Sequence, residues 1–81
     1  MSQRTSAAQR PGATGTTSMV VNGNGCRTTA STLDRLLAEL GYAGRKVATA
    51  RNGEFVAEAA RATTFLMAGD RIEIVAPRQG G

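Results

Sequence analysis

Apolar residues in this chain recur at two different periods, and the switches between them mark out its elements. Residues 1–18 come first, mostly Ser, Thr, Ala, Gly and Gln with Arg4 and Arg10, and hold almost nothing to bury. They are predicted to be a disordered extension. Met19-Val20-Val21 reads as a short apolar strand. Asn22-Gly23-Asn24-Gly25 supplies two consecutive Asn-Gly pairs, whose residues tolerate positive φ, so a hairpin is expected with residues 26–29 returning. Leu33, Leu36, Leu37 and Leu40 then follow the i, i+3, i+4, i+7 spacing of a helix with one buried face. Ser31 is placed to cap it, Asp34 stands three residues later in a capping-box position, and Gly41 supplies the stop.

Beyond the helix the period returns to two. Residues 46–50 read as a third strand, with Val47 and Thr49 on one face, and Asn52-Gly53 turns the chain into a short return at Phe55-Val56. Residues 57–66 are ambiguous, because an alanine-rich stretch favours helix while Thr63-Thr64 opposes a long one. Gly69-Asp70 makes a turn into Arg71-Ile72-Glu73-Ile74-Val75, where charged and apolar residues alternate as in a half-buried strand. One amphipathic helix with a single leucine face needs one sheet to cover it. The pattern is a small α+β roll, compatible with a β-grasp in which the first and last strands are neighbours, and equally with a ferredoxin-like order.

Composition narrows the function more than the fold. Eighty-one residues allow one small domain, and with Tyr42, Phe55 and Phe65 as the aromatics its core must be aliphatic. Of the net charge of +4, two units come from Arg4 and Arg10, and two from eight basic against six acidic residues spread over 19–81. That spread lacks the basic stripe and interleaved aromatics of a nucleic-acid binder, so no nucleic-acid partner is expected. No run is long and apolar enough to span a membrane, and residues 1–18 have no signal-peptide core. The lone Cys26 excludes an internal disulfide and suits a cytoplasmic location. With no histidine, an isolated cysteine and no phosphate-loop lysine, the chain reads as a substrate and not a catalyst, with no metal or bound cofactor of its own. The acidic residues Asp34, Glu39, Glu54, Glu58, Asp70 and Glu73 read as caps, turns and solvated strand faces.

After the last strand comes Ala76-Pro77-Arg78-Gln79-Gly80-Gly81, which cannot extend the alternation, since Pro77 lacks an amide donor and glycine has nothing to pack. Residues 76–81 are therefore expected to be a flexible tail: a frayed end, or else a segment whose terminal carboxylate is the reactive group. Glycine lets an enzyme close tightly around a backbone, so Gly80 and Gly81 suit threading into a narrow active site. Pro77 would stiffen the exit from the sheet, while Arg78 and Gln79 offer polar handles. A patch on the exposed sheet face including Phe55 is the expected docking surface.

Four stretches together resemble one family. They are Val20-Val21-Asn22-Gly23, then Leu33-Asp34-Arg35-Leu36-Leu37-Ala38-Glu39-Leu40-Gly41, then Asn52-Gly53-Glu54-Phe55-Val56, and finally the run from Gly69 through Gly80-Gly81. In this order and spacing they resemble the ThiS-type sulfur carriers of thiamin biosynthesis over residues 19–81. The resemblance implies a ubiquitin-like β-grasp, a mixed sheet of four to five strands on one main helix, over 19–75. It also implies that the Gly81 carboxylate becomes a thiocarboxylate whose sulfur is used in thiazole formation. The partners it implies are a ThiF-like adenylating enzyme that uses ATP and magnesium, a ThiG-like thiazole synthase and a persulfide-bearing sulfur donor, with the free carrier monomeric. The extension 1–18 departs from the family, as does Ala57-Glu58-Ala59 where many members carry a proline and a basic residue. Arg51 also stands where an aliphatic residue is common. The ending differs from the Pro-Pro-Val-Ser-Gly-Gly associated with molybdopterin carriers, whose product is the alternative use of the same chemistry. Another sulfur-containing product is a further use of that chemistry, and a ubiquitin-like modifier or binding module is the alternative of another class.

Overall fold

A computed structural model describes residues 15–77. In chain order its elements are β1 (Thr17–Val21), β2 (Asn24–Thr28), α1 (Leu33–Glu39), β3 (Ala48–Arg51), β4 (Glu54–Val56), a 3-10 helix (Glu58–Thr63) and β5 (Arg71–Val75). Among the described residues the five strands form one sheet in the order β2-β1-β5-β3-β4. The pair β1 and β5 is parallel and the other pairs are antiparallel, so the last strand lies at the centre beside the first. That pairing decides for the β-grasp over the ferredoxin-like order.

The two turns that read as hairpins do form, by a common device. Asn22 and Asn52 both take positive φ, at 50° and 52°, and Gly23 and Gly53 follow at 84° and 86°. Two successive positive φ values match the twist of a two-residue hairpin. Their side chains then act as extra peptide groups for β5. Asn22 Nδ2 donates to the Ile74 carbonyl at 3.1 Å while the Ile74 N–H donates to Asn22 Oδ1 at 2.8 Å. At the other end of β5 the Arg71 N–H donates to Asn52 Oδ1 at 2.9 Å.

The core is aliphatic, built from Met19, Leu33, Leu36, Leu37, Val56, Ile72 and Ile74. Helix α1 closes with the Gly41 N–H on the Ala38 carbonyl and the Tyr42 N–H on the Leu37 carbonyl, at 3.1 and 2.8 Å, with Gly41 at φ 91°. This is a Schellman closure, and it also packs Tyr42 on the core.

Several expectations are corrected. Strand β1 starts at Thr17, not Met19, because Thr17 and Ser18 pair with Thr28 and Arg27, so these two residues belong to the sheet and not to a disordered extension. Only Asn22-Gly23 makes the first turn; Val21 pairs with Asn24, which places the second Asn-Gly pair in β2. Thr32, not Ser31, is the cap of α1, and its hydroxyl contacts Asp34 Oδ1 at 2.6 Å in place of a backbone amide. Tertiary pairing imposes that shift: the Ser31 carbonyl accepts the Leu66 N–H, and the Leu33 N–H donates to the Thr64 carbonyl. Leu40 is 39% exposed, because the helix ends at Glu39 and the Schellman turn carries the fourth leucine off the buried face. Strand β3 begins at Ala48 instead of Lys46, where its partner β5 ends at Val75. The ambiguous crossover is the 3-10 helix, and its Arg61 is buried.

Leu36 is fully buried under the sheet. Leu36→Ala is expected to cost about 2–5 kcal/mol in urea unfolding. A variant that unfolds with the parent would overturn the assignment of the core.

Candidate functional site

The site is organised around the exit of β5. Residues 72 and 74 of that strand face α1, so Arg71, Glu73 and Val75 face outward. Register extends this outer face across the sheet: Val75 is opposite Ala48, Glu73 is opposite Ala50, and Ala50 is opposite Phe55. Phe55 is 73% exposed and Val75 is 62% exposed. The small alanines between them leave an apolar face interrupted by Glu73, and Ala76 and Pro77 continue from its edge. The candidate docking residue Phe55 and the root of the tail thus share one surface. Pro77 is exposed. Arg78, Gln79, Gly80 and Gly81, the remaining tail candidates, lie outside the described residues.

The entrance of β5 is fixed by a polar knot that sequence reasoning read as a simple turn. Asp70 is only 6% exposed. Its carboxylate accepts from Arg51 Nε at 2.7 Å, from Asn52 Nδ2 at 3.0 Å and from the Met67 N–H at 2.8 Å. Among the described residues Arg51–Asp70 is the one ion pair. Burial alone would push the Asp70 carboxyl up, but the hydrogen bonds from Arg51, Asn52 and Met67, with the charge of Arg51, hold it below its ordinary value. Arg51 is therefore the counter-ion of Asp70. The signal available in the sequence was a charged residue at a strand position together with an aspartate in the turn before β5. Glu39 likewise has a role the sequence did not suggest: its carboxylate accepts from the hydroxyls of Thr28 and Thr29, which joins the end of α1 to the end of β2.

A groove of about 930 Å³ lies between α1, the segment 42–47, the 3-10 helix and the end of β5, and Pro77 is one of its walls. Arg45 on its rim lies over the Tyr42 ring, 5.6 Å from the centroid. Cys26 is half-buried against the core on β2 and is a free thiol. Among the described residues no three His, Cys, Asp or Glu side chains gather as a metal site, and no helix is long and apolar enough to cross a membrane.

A mixed sheet grasping one main helix, with the last strand central and the chain leaving beside an exposed apolar face, defines a ubiquitin-like β-grasp protein. The sequence profile of the ThiS family matches residues 19–81. The crystal structure of the thiamine biosynthesis protein ThiS from Geobacter metallireducens superposes with a TM-score of 0.64 at 29% identity, covering 79% of this chain and 99% of that one. A thiazole synthase from Paramagnetospirillum magneticum is 44% identical over 64 residues, 78% of this chain, and the chain spans 20% of that relative's length. The chain belongs to the ThiS family.

Asp70→Asn is expected to destabilise the protein by about 1–3 kcal/mol at neutral pH, since it removes a buried acceptor of three donors. The folded pKa lies below the unfolded one, so the Asp70 contribution is complete above about pH 4 and fades as pH falls through the folded value. Urea unfolding of parent and variant should therefore converge in strong acid; a gap that persists there would refute the ionic account.

Proposed function

We propose that this protein is a sulfur carrier of thiamin biosynthesis, with the carboxylate of Gly81 as the group that is charged. The observation that carries the reading is that the family match runs to residue 81, so the tail residues fall inside the matched span. The position of the tail root beside an exposed apolar face supports it.

Chemistry requires a partner. An α-carboxyl with a pKa of about 3.5 is ionised at neutral pH and is a poor electrophile, but it can attack the α-phosphate of ATP. Pyrophosphate leaves and an acyl-adenylate forms on Gly81. The terminal sulfur of a persulfide then displaces AMP, and a second thiol cleaves the resulting acyl disulfide, releasing the thiocarboxylate and a disulfide. That soft nucleophile delivers sulfur to an electrophilic carbon. The ThiF-like adenylating enzyme holds the ATP and magnesium, the persulfide comes from a sulfur-donor protein, and a thiazole synthase consumes the product. Similarity to a stretch of a thiazole synthase favours thiazole as the destination over molybdopterin. The carrier contributes reach and recognition and is a co-substrate, not an enzyme. We place it in the cytoplasm, as a monomer when free.

Incubation with a cognate adenylating enzyme, ATP and a sulfur donor should put one sulfur on Gly81. Cys26→Ser removes the competing thiol, and alkylation with fragmentation locates the label. An added residue after Gly81 should abolish labelling without moving thermal unfolding; labelling that survives it, or a terminus that stays unlabelled in the parent, would overturn the reading. Phe55→Ser should leave stability within about 0.5 kcal/mol yet weaken binding to the adenylating enzyme by about tenfold or more. Unchanged affinity would remove Phe55 from the docking face.

A further inference from the structure

Arg61 is buried in an unusual way. It stands on the 3-10 helix and is only 9% exposed. Its Nε–H donates to Thr49 Oγ1 at 3.0 Å and its Nη2 donates to the Val47 carbonyl at 2.7 Å, which ties the crossover to β3. A guanidinium has five N–H donors. Among the described residues the remaining donors meet no acceptor, and no carboxylate lies within ion-pair distance of Arg61. Three N–H donors remain on the two terminal nitrogens, and an N–H from each can take both oxygens of a carboxylate.

Arg61 lines the groove beside Pro77. Arg45 and Lys46 line it too, against the carboxylates of Asp34 and Glu58, so its charge is net positive. A buried charge without a counter-ion is unfavourable, and an entering anion relieves it. Position decides the source of that anion. The groove is walled by Val75 and Pro77, so a protein that encloses the chain beyond Pro77 also closes over the groove.

We propose that this groove is a socket for an Asp or Glu side chain of the protein that receives the tail, with Arg61 as its anchor. The proposal rests on the carrier reading. It gives the carrier a polar contact at the tail root, adjoining the outer apolar face that runs from Val75 and Ala48 towards Phe55. An arginine suits the role because a lysine ammonium cannot hold β3 and present a second, two-pronged edge at once.

The test uses the full chain and the cognate adenylating enzyme. Arg61→Lys keeps the charge and removes the fork. Its dissociation constant should rise about tenfold or more, with thermal unfolding and the amide spectrum reporting whether the fold is kept. A second measurement needs no variant: the Arg61 Nη protons of the parent should become slow to exchange in the complex and stay fast in the free protein. In the free protein, sodium acetate as a probe should shift the Val47 and Ala62 amides saturably in the parent and not in Arg61→Lys. An unchanged dissociation constant in the folded variant, or Nη protons that exchange alike free and bound, would overturn the socket. So would Nη protons already protected in the free chain and released by deleting Gly80 and Gly81, because the occupant would then be the chain's own terminus. The Gly81 label separates the two readings: a labelled terminus with an empty socket sinks only the socket, whereas an unlabelled parent sinks the carrier and with it the tail's recipient as occupant, even where acetate binds.

Discussion

Strand β5 makes every other part of this small protein possible, because it must be central to a sheet whose neighbouring strands are only four and five residues long. On the β1 side the named ladder has two register pairs, Val20 with Arg71 and Val21 with Ile72. Backbone pairing alone would leave the end of β5 open on that flank. The Asn22 side chain fills the gap by exchanging both hydrogen bonds with Ile74, and Asn52 does the equivalent on the Arg71 amide. A residue at positive φ that also presents an amide in the plane of a strand must be short, polar and tolerant of the left-handed region. Asparagine combines these properties. The turns and the central strand are thus one system, and the leucine face of α1 packs on a sheet whose middle is fixed at both ends.

What could be read along the chain follows from the range of the physics involved. Local signals survived well: positive-φ turns at Asn22-Gly23 and Asn52-Gly53, alternation in β5, and three of four leucines on the buried face. Boundaries failed where a partner distant in sequence set them. Ser31 is as good a cap as Thr32 by propensity, yet its carbonyl is engaged by Leu66. Leu40 fits the helical period, yet the Gly41 closure displaces it. Charged residues were the hardest to place. Nothing local distinguishes the buried Asp70 from the exposed Glu73 three residues later, because burial at 70 depends on Arg51, 19 residues away.

The candidate site divides along the same line. The exposed aromatic at Phe55 was legible because a short return strand must present one face to solvent. Arg61 was not, since an arginine in an alanine-rich stretch normally reads as a solvated helix position. Only the pairing of the crossover with β3 through Thr49 and Val47 turns it inward. The region between β4 and β5 is also where a charge is buried beside the tail root.

The placement of β5 has a mechanical consequence. A protein that draws the tail into a narrow tunnel pulls the strand along its own axis, past β1 on one side and β3 on the other. Ladder bonds loaded in that direction are strained in shear and resist together, whereas an edge strand lifted sideways would lose them singly. Asn22, bonded to Ile74 near the point of traction, adds its two side-chain bonds to that resistance. Traction on the chain's end is thus opposed by the whole ladder at once, not by its bonds one at a time.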